Sequence, residues 1–77
     1  MSNVLLDNVV EYLTFQKSLD RKEVFRTYIV EVMWYNKGLI ADPNNPVELT
    51  RSLLSQAAEL AGGSYVYDSG RARIVFN

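Results

Sequence analysis

Gly62 and Gly63 separate two patterns that cannot share one secondary structure, and this break constrains the chain more than any other feature. Before it, Leu49, Leu53, Ala57 and Leu60 recur at helical spacing, with Val47, Leu54, Ala58 and Ala61 beside them. Arg51, Ser52, Ser55, Gln56 and Glu59 fall on the opposite side. After it, Tyr65-Val66-Tyr67 and the run from Arg71 to Phe76 flank Asp68-Ser69-Gly70, the pattern of a β-hairpin. A helix that stops at a Gly pair and hands over to an antiparallel hairpin implies an α+β fold.

Two further segments precede this break. From about Asn3 to Ser18, apolar residues from Val4 to Phe15 recur at helical spacing, Asp7 and Lys17 suit the helix dipole, and Ser2 or Asn3 can cap. The second segment, Asp20 to Gly38, carries conflicting signals. Asp20 and Glu23 form a capping box ahead of an apolar run. Yet the run itself, rich in Val, Ile, Thr and aromatics, is composed of strand formers. Spacing and cap favour a helix; propensity favours a strand. For the third helix, Asn45 is the expected N-cap, Pro46 the first helical residue and Glu48 the third. The expected fold is thus α+β, three helices followed by a C-terminal antiparallel β-hairpin, in a single compact domain over residues 1–77. The alternative makes the second segment a strand, giving a three- or four-stranded sheet with two helices.

The hairpin has two registers. A three-residue loop, with Gly70 in the left-handed bulge position, sets Tyr67 opposite Arg71 and Tyr65 opposite Arg73. That face is a Tyr/Arg ladder, able to stack bases and hold phosphates. A two-residue loop of Ser69-Gly70 slips the pairing by one and moves Tyr65 and Tyr67 onto the apolar face. Gly at the third loop position, without Gly or Asn at the first, favours the three-residue form.

Composition excludes several functions. A 77-residue chain with a 48% apolar fraction is one small globular domain. It buries only about 60% of its unfolded surface, so self-association is a natural way to cover the remainder. It has no Cys and no His, which removes disulfides, Cys/His zinc sites and His-dependent nucleophilic triads. The acids Asp7 and Glu11 lie on a polar helical side, where solvation is their ordinary role. The "DPNN" string lacks the spacing of a calcium loop. No cofactor, metal, small-molecule substrate or enzymatic activity is expected. No apolar run reaches membrane-spanning length, and the N-terminus lacks the basic start of a secretory signal, so a cytoplasmic location without membrane is expected.

Function narrows to binding. The net charge is −1, but residues 21–40 and 64–77 lean positive, and a basic patch arises if these segments meet. The first expectation is a small non-enzymatic protein-interaction module that binds a partner protein or itself. Its candidate contacts are Trp34, Tyr35, Tyr65, Tyr67, Arg71 and Arg73, residue types that dominate binding hot spots. The alternative is a nucleic-acid-binding regulator. The order helix, helix, helix, hairpin resembles a winged helix-turn-helix, which implies that the hairpin touches the nucleic-acid backbone. Arg51, Arg71 and Arg73 would then be the contacts. A sequence pI of 5.2 and Glu48 and Glu59 near the third helix weigh against it.

Overall fold

The computed structural model describes residues 3–77. Helix α1 spans Val4–Ser18, strand β1 Glu23–Phe25 and helix α2 Arg26–Glu31, which runs straight into a π-helical turn at Val32–Asn36. Helix α3 spans Arg51–Leu60, and strands β2, Gly63–Asp68, and β3, Arg71–Phe76, follow it. The sheet is antiparallel in the order β1-β3-β2, so the last strand lies in the middle. The architecture is α+β, with the C-terminal hairpin as expected.

Asn3 caps α1, its side-chain oxygen accepting from the Leu6 N–H at 3.0 Å. Ser2, the other candidate cap, lies outside the described residues. Val9 and Leu13 are fully buried, while Phe15, expected on the apolar face, is exposed. Asp20 does not cap the next helix. It takes a left-handed conformation at φ 60° and closes α1, with the Arg21 N–H donating to the Gln16 carbonyl at 3.3 Å. Asp is among the few side chains that tolerate this conformation, so the apparent capping box is a helix ending.

The segment that gave two signals obeys both, in sequence. Glu23–Phe25 is extended, and Val24 pairs with Ile74 of β3. Without β1, one edge of β3 would be bare, and a two-stranded sheet is marginal in water. Arg26 onward is helical, with Ile29, Val30 and Met33 buried. Val30 is core. Gly38 follows the π turn as the expected stop.

Helix α3 begins five residues later than expected, at Arg51 rather than Pro46. Thr50 caps it, its hydroxyl accepting from the Leu53 N–H at 3.1 Å. Tertiary contacts hold residues 46–49 out of the helix. The Arg26 guanidinium donates to the carbonyls of Leu49 at 3.2 Å and Pro46 at 3.5 Å. The Glu48 carboxylate accepts from the Ala41 N–H at 3.3 Å. Leu49 itself is buried as an anchor of this loop, together with Ile40. Leu54, Ala57, Ala58 and Ala61 form the buried side of α3, whereas Val47 and Leu60 are exposed. The small alanines let α1 and β2 pack close to the α3 axis.

The hairpin adopts the two-residue loop, not the three-residue loop that the position of its Gly suggests. Asp68 lies opposite Arg71, Tyr67 opposite Ala72 and Tyr65 opposite Ile74. Ser69 and Gly70 both have positive φ, 53° and 76°, the signature of a type I′ turn. Its twist matches that of the strands, which outweighs the strain at Ser69. The start of β2 pins the same register. A Cβ on Gly63 would come within 2.7 Å of the Val75 carbonyl oxygen, so only Gly fits opposite Phe76.

Candidate nucleic-acid interface

The register sorts the expected contacts onto different surfaces. Tyr65 and Tyr67 share the helix-facing side of the sheet with Ala72 and Ile74. Arg73 lies on the other side between Phe25 and Val66, half-buried, with its Nε 3.7 Å from the Glu23 carboxylate. The expected Tyr65–Arg73 and Tyr67–Arg71 ladder does not form, because the one-residue slip sends the partners to opposite faces. Arg73 therefore serves the back of the sheet and takes no part in the surface described next.

Beyond the packed core, the helix-facing side of the hairpin opens into a cleft of about 630 Å³ against the start of α2. Tyr65 and Tyr67 border it from the face of the hairpin and Arg26 and Tyr28 from α2, while Arg71, which the register sets on the opposite face with Asp68, reaches its edge beside the turn. Arg51, in the first turn of α3, joins Tyr65 and Tyr67 in an adjoining groove of about 360 Å³. No carboxylate lines either space. Arg51 and Arg71 make no ion pair among the described residues. Arg26 is anchored by its hydrogen bonds to the 46–49 loop, which hold the guanidinium in place. Asp68 sits across the turn from Arg71 and is the nearest acid along the hairpin.

Two arginines thus border the cleft and a third the adjoining groove, with Tyr65 and Tyr67 common to both, although the chain has nine acids against eight Lys and Arg. The two positive-leaning segments do meet, because β1 pairs with β3. Arg26 and Tyr28 were not among the sequence-derived candidates. The positive lean of residues 21–40 was their only signal, and it named no residue.

Trp34 and Tyr35 lie elsewhere, on the π turn. Their rings are 5.8 Å apart and tilted by 52°. Trp34 is 40% exposed and Tyr35 78%, so neither is a core residue. Trp34 borders a neighbouring groove of about 380 Å³ with Val30, Pro43 and Pro46, where Glu31 contributes an acid and Arg26 and Thr27 are shared with the cleft. A fourth cleft, of about 330 Å³, lies between α1 and β1 and includes Tyr12, Arg21 and Tyr28. Burial pushes the Tyr12 phenol above its usual range, opposed by Arg21 and reinforced by Glu31 and Tyr28. Among the described residues, no cluster of three or more acids could hold a metal ion, and no helix is long and apolar enough to cross a membrane. Neither a protein-family model, nor a curated protein, nor a solved structure matches this chain.

Proposed function

We propose that this domain binds nucleic acid through the surface formed by Arg26, Arg51 and Arg71 around Tyr65 and Tyr67, and catalyses nothing itself. The observation that carries this reading is the gathering of three arginines with no carboxylate on the lining, in a chain of net charge −1. Affinity for nucleic acid is dominated by phosphate neutralisation, and its local charge matters more than the total. The frame supports the same reading. The three helices come in order before the hairpin, as in the winged helix-turn-helix comparison, and β1, between the first two helices, adds a strand beside β3. That support is an analogy of fold, and the arginine surface is the physical argument. The strand residues Tyr65 and Tyr67 face the same opening as the first turn of α3, so hairpin and helix can engage one ligand together.

The test is titration of a fluorescently labelled generic duplex at low ionic strength. Binding is expected, with affinity falling linearly in log–log form as salt rises. Arg51→Ala and Arg71→Ala should each lower the magnitude of the salt slope by about 1. Absence of binding at low salt would remove this reading.

A second reading rests on the exposed Trp34–Tyr35 pair, since aromatic pairs left in water are frequent anchors of protein interfaces. In this reading a partner protein or a second copy covers the π turn. Its surface adjoins the arginine cleft, with Arg26 and Thr27 bordering both, so a partner on the π turn and a ligand in the cleft would meet at Arg26.

A further inference from the structure

The aromatic content of the arginine cleft goes beyond what duplex binding uses. A duplex presents phosphates and base edges to a protein, while its base faces are stacked inside the helix. Phosphate contacts need the arginines and leave the aromatic rings idle. Yet Tyr28 and Tyr67 are 57% and 64% exposed at the borders of the cleft, and Tyr65 is half-buried between core and opening. Aromatic rings beside arginines, without acids, form the platform on which unpaired bases stack while cations follow the backbone. The cleft volume of about 630 Å³ lies within the range of about 300–1,000 Å³ typical of small-ligand sites.

We infer that the cleft between α2 and the hairpin seats unpaired nucleotides, with bases against Tyr28 and Tyr67, phosphates along Arg71 and Arg26, and the strand continuing past Arg51 in the adjoining groove. This inference rests on the nucleic-acid reading and specifies the strand state. The same domain therefore prefers single strands, or the unpaired end of a duplex, over fully paired duplex. Arg26 is held by the 46–49 loop, so one cation of the site is fixed before the strand arrives. Tyr65 is held by its place opposite Ile74. Tyr28 and Tyr67, on the rim, adjust to the base that is present, which predicts tolerance of sequence.

The experiment measures anisotropy of two labelled probes, an oligothymidylate of about 12 nucleotides and a blunt duplex of the same length, across a range of salt. The single strand is expected to bind at least about tenfold more tightly than the duplex. Tyr67→Ala and Tyr28→Ala should each narrow that ratio severalfold, whereas Tyr67→Phe retains it, because stacking uses the ring and not the hydroxyl. Arg51→Ala weakens both probes and leaves the ratio in place. Circular dichroism of each variant separates loss of stacking from loss of fold. Equal affinity for the two probes, or a ratio unmoved by both tyrosine substitutions, overturns the inference while leaving duplex binding standing. Binding of neither probe removes the nucleic-acid reading and this inference with it. An acidic peptide that binds as tightly as the oligonucleotide also overturns it, since the cleft would then recognise charge alone.

Discussion

Tyr12 sits on the α1 side of the cleft beside β1, half-buried, with Arg21 and Tyr28 bordering the same space and Glu31 acting on it from α2. Burial disfavours its phenolate, so its folded pKa stands above the unfolded value of about 10. Below about pH 10 the phenol is neutral in both states, and its contribution to stability is fully present. As pH rises further, the unfolded chain ionises first, and stability is lost through the folded pKa. Tyr12→Phe should therefore keep its urea midpoint further into the alkaline range than the parent protein. Midpoint-against-pH curves that run parallel for the two proteins would show that Tyr12 carries none of the loss. At this scale the sequence was readable in part. Asn3 was a visible cap, but Thr50 was not, because only the Arg26 contacts explain why Asn45 and Pro46 fail to start α3. Tyr65 and Tyr67 were visible as a pair, while their faces depended on a single residue of register.

The hairpin turn is the element whose geometry departs most from its local preference. Ser69 occupies the first position of a type I′ turn, where Asn is favoured and a serine in the left-handed region is strained. Its hydroxyl donates to the Asp68 carboxylate at 3.3 Å, a long and exposed hydrogen bond. Ser69→Asn should raise stability by up to about 1 kcal/mol, the scale of the left-handed penalty. Thermal or urea melts measure the gain, and an unchanged or lowered midpoint would argue for the three-residue loop instead. Among the elements, α1 and the body of α3 were legible, since their apolar faces repeat over several turns. Strand β1 was not. Three residues embedded in a run with helical spacing give no period of their own, and Val24 becomes a strand residue only because Ile74 lies beside it.

At the scale of the molecule, a 77-residue fold rests on a net stability of about 4–12 kcal/mol. Its core draws on every element, from Val9 and Leu13 of α1 to Ile74 of β3. The two exposed features lie on adjoining surfaces, the arginine cleft at the hairpin and the aromatic pair on the π turn, with Arg26 and Thr27 between them. They predict different behaviour under dilution. In the reading that assigns the π turn to self-association, sedimentation velocity should show a concentration-dependent dimer. Trp34→Ala should return it to monomer while the chain still folds, and its midpoint should no longer rise with protein concentration as the parent's does, because Trp34 is 40% exposed and lies outside the core. A strict monomer at all concentrations would remove self-association and leave a partner protein as the remaining occupant of the π turn.

By itself, the sequence determined an α+β chain with helical segments at its start and before Gly62, a hairpin after it, and no Cys or His chemistry. These follow from local periodicity, turn residues and composition, which need no knowledge of distant partners. Only the tertiary structure decided that residues 23–25 are a strand, that α3 waits until Arg51, and that the hairpin takes the short loop. Each of these depends on a contact far along the chain: Val24 with Ile74, Arg26 with the Leu49 carbonyl, Gly63 with the Val75 backbone. The candidate site has the same origin. Arg26, Arg51 and Arg71 are spread across the sequence, and it is the pairing of β1 with β3 and the packing of α3 on β2 that bring them to one cleft and the groove adjoining it.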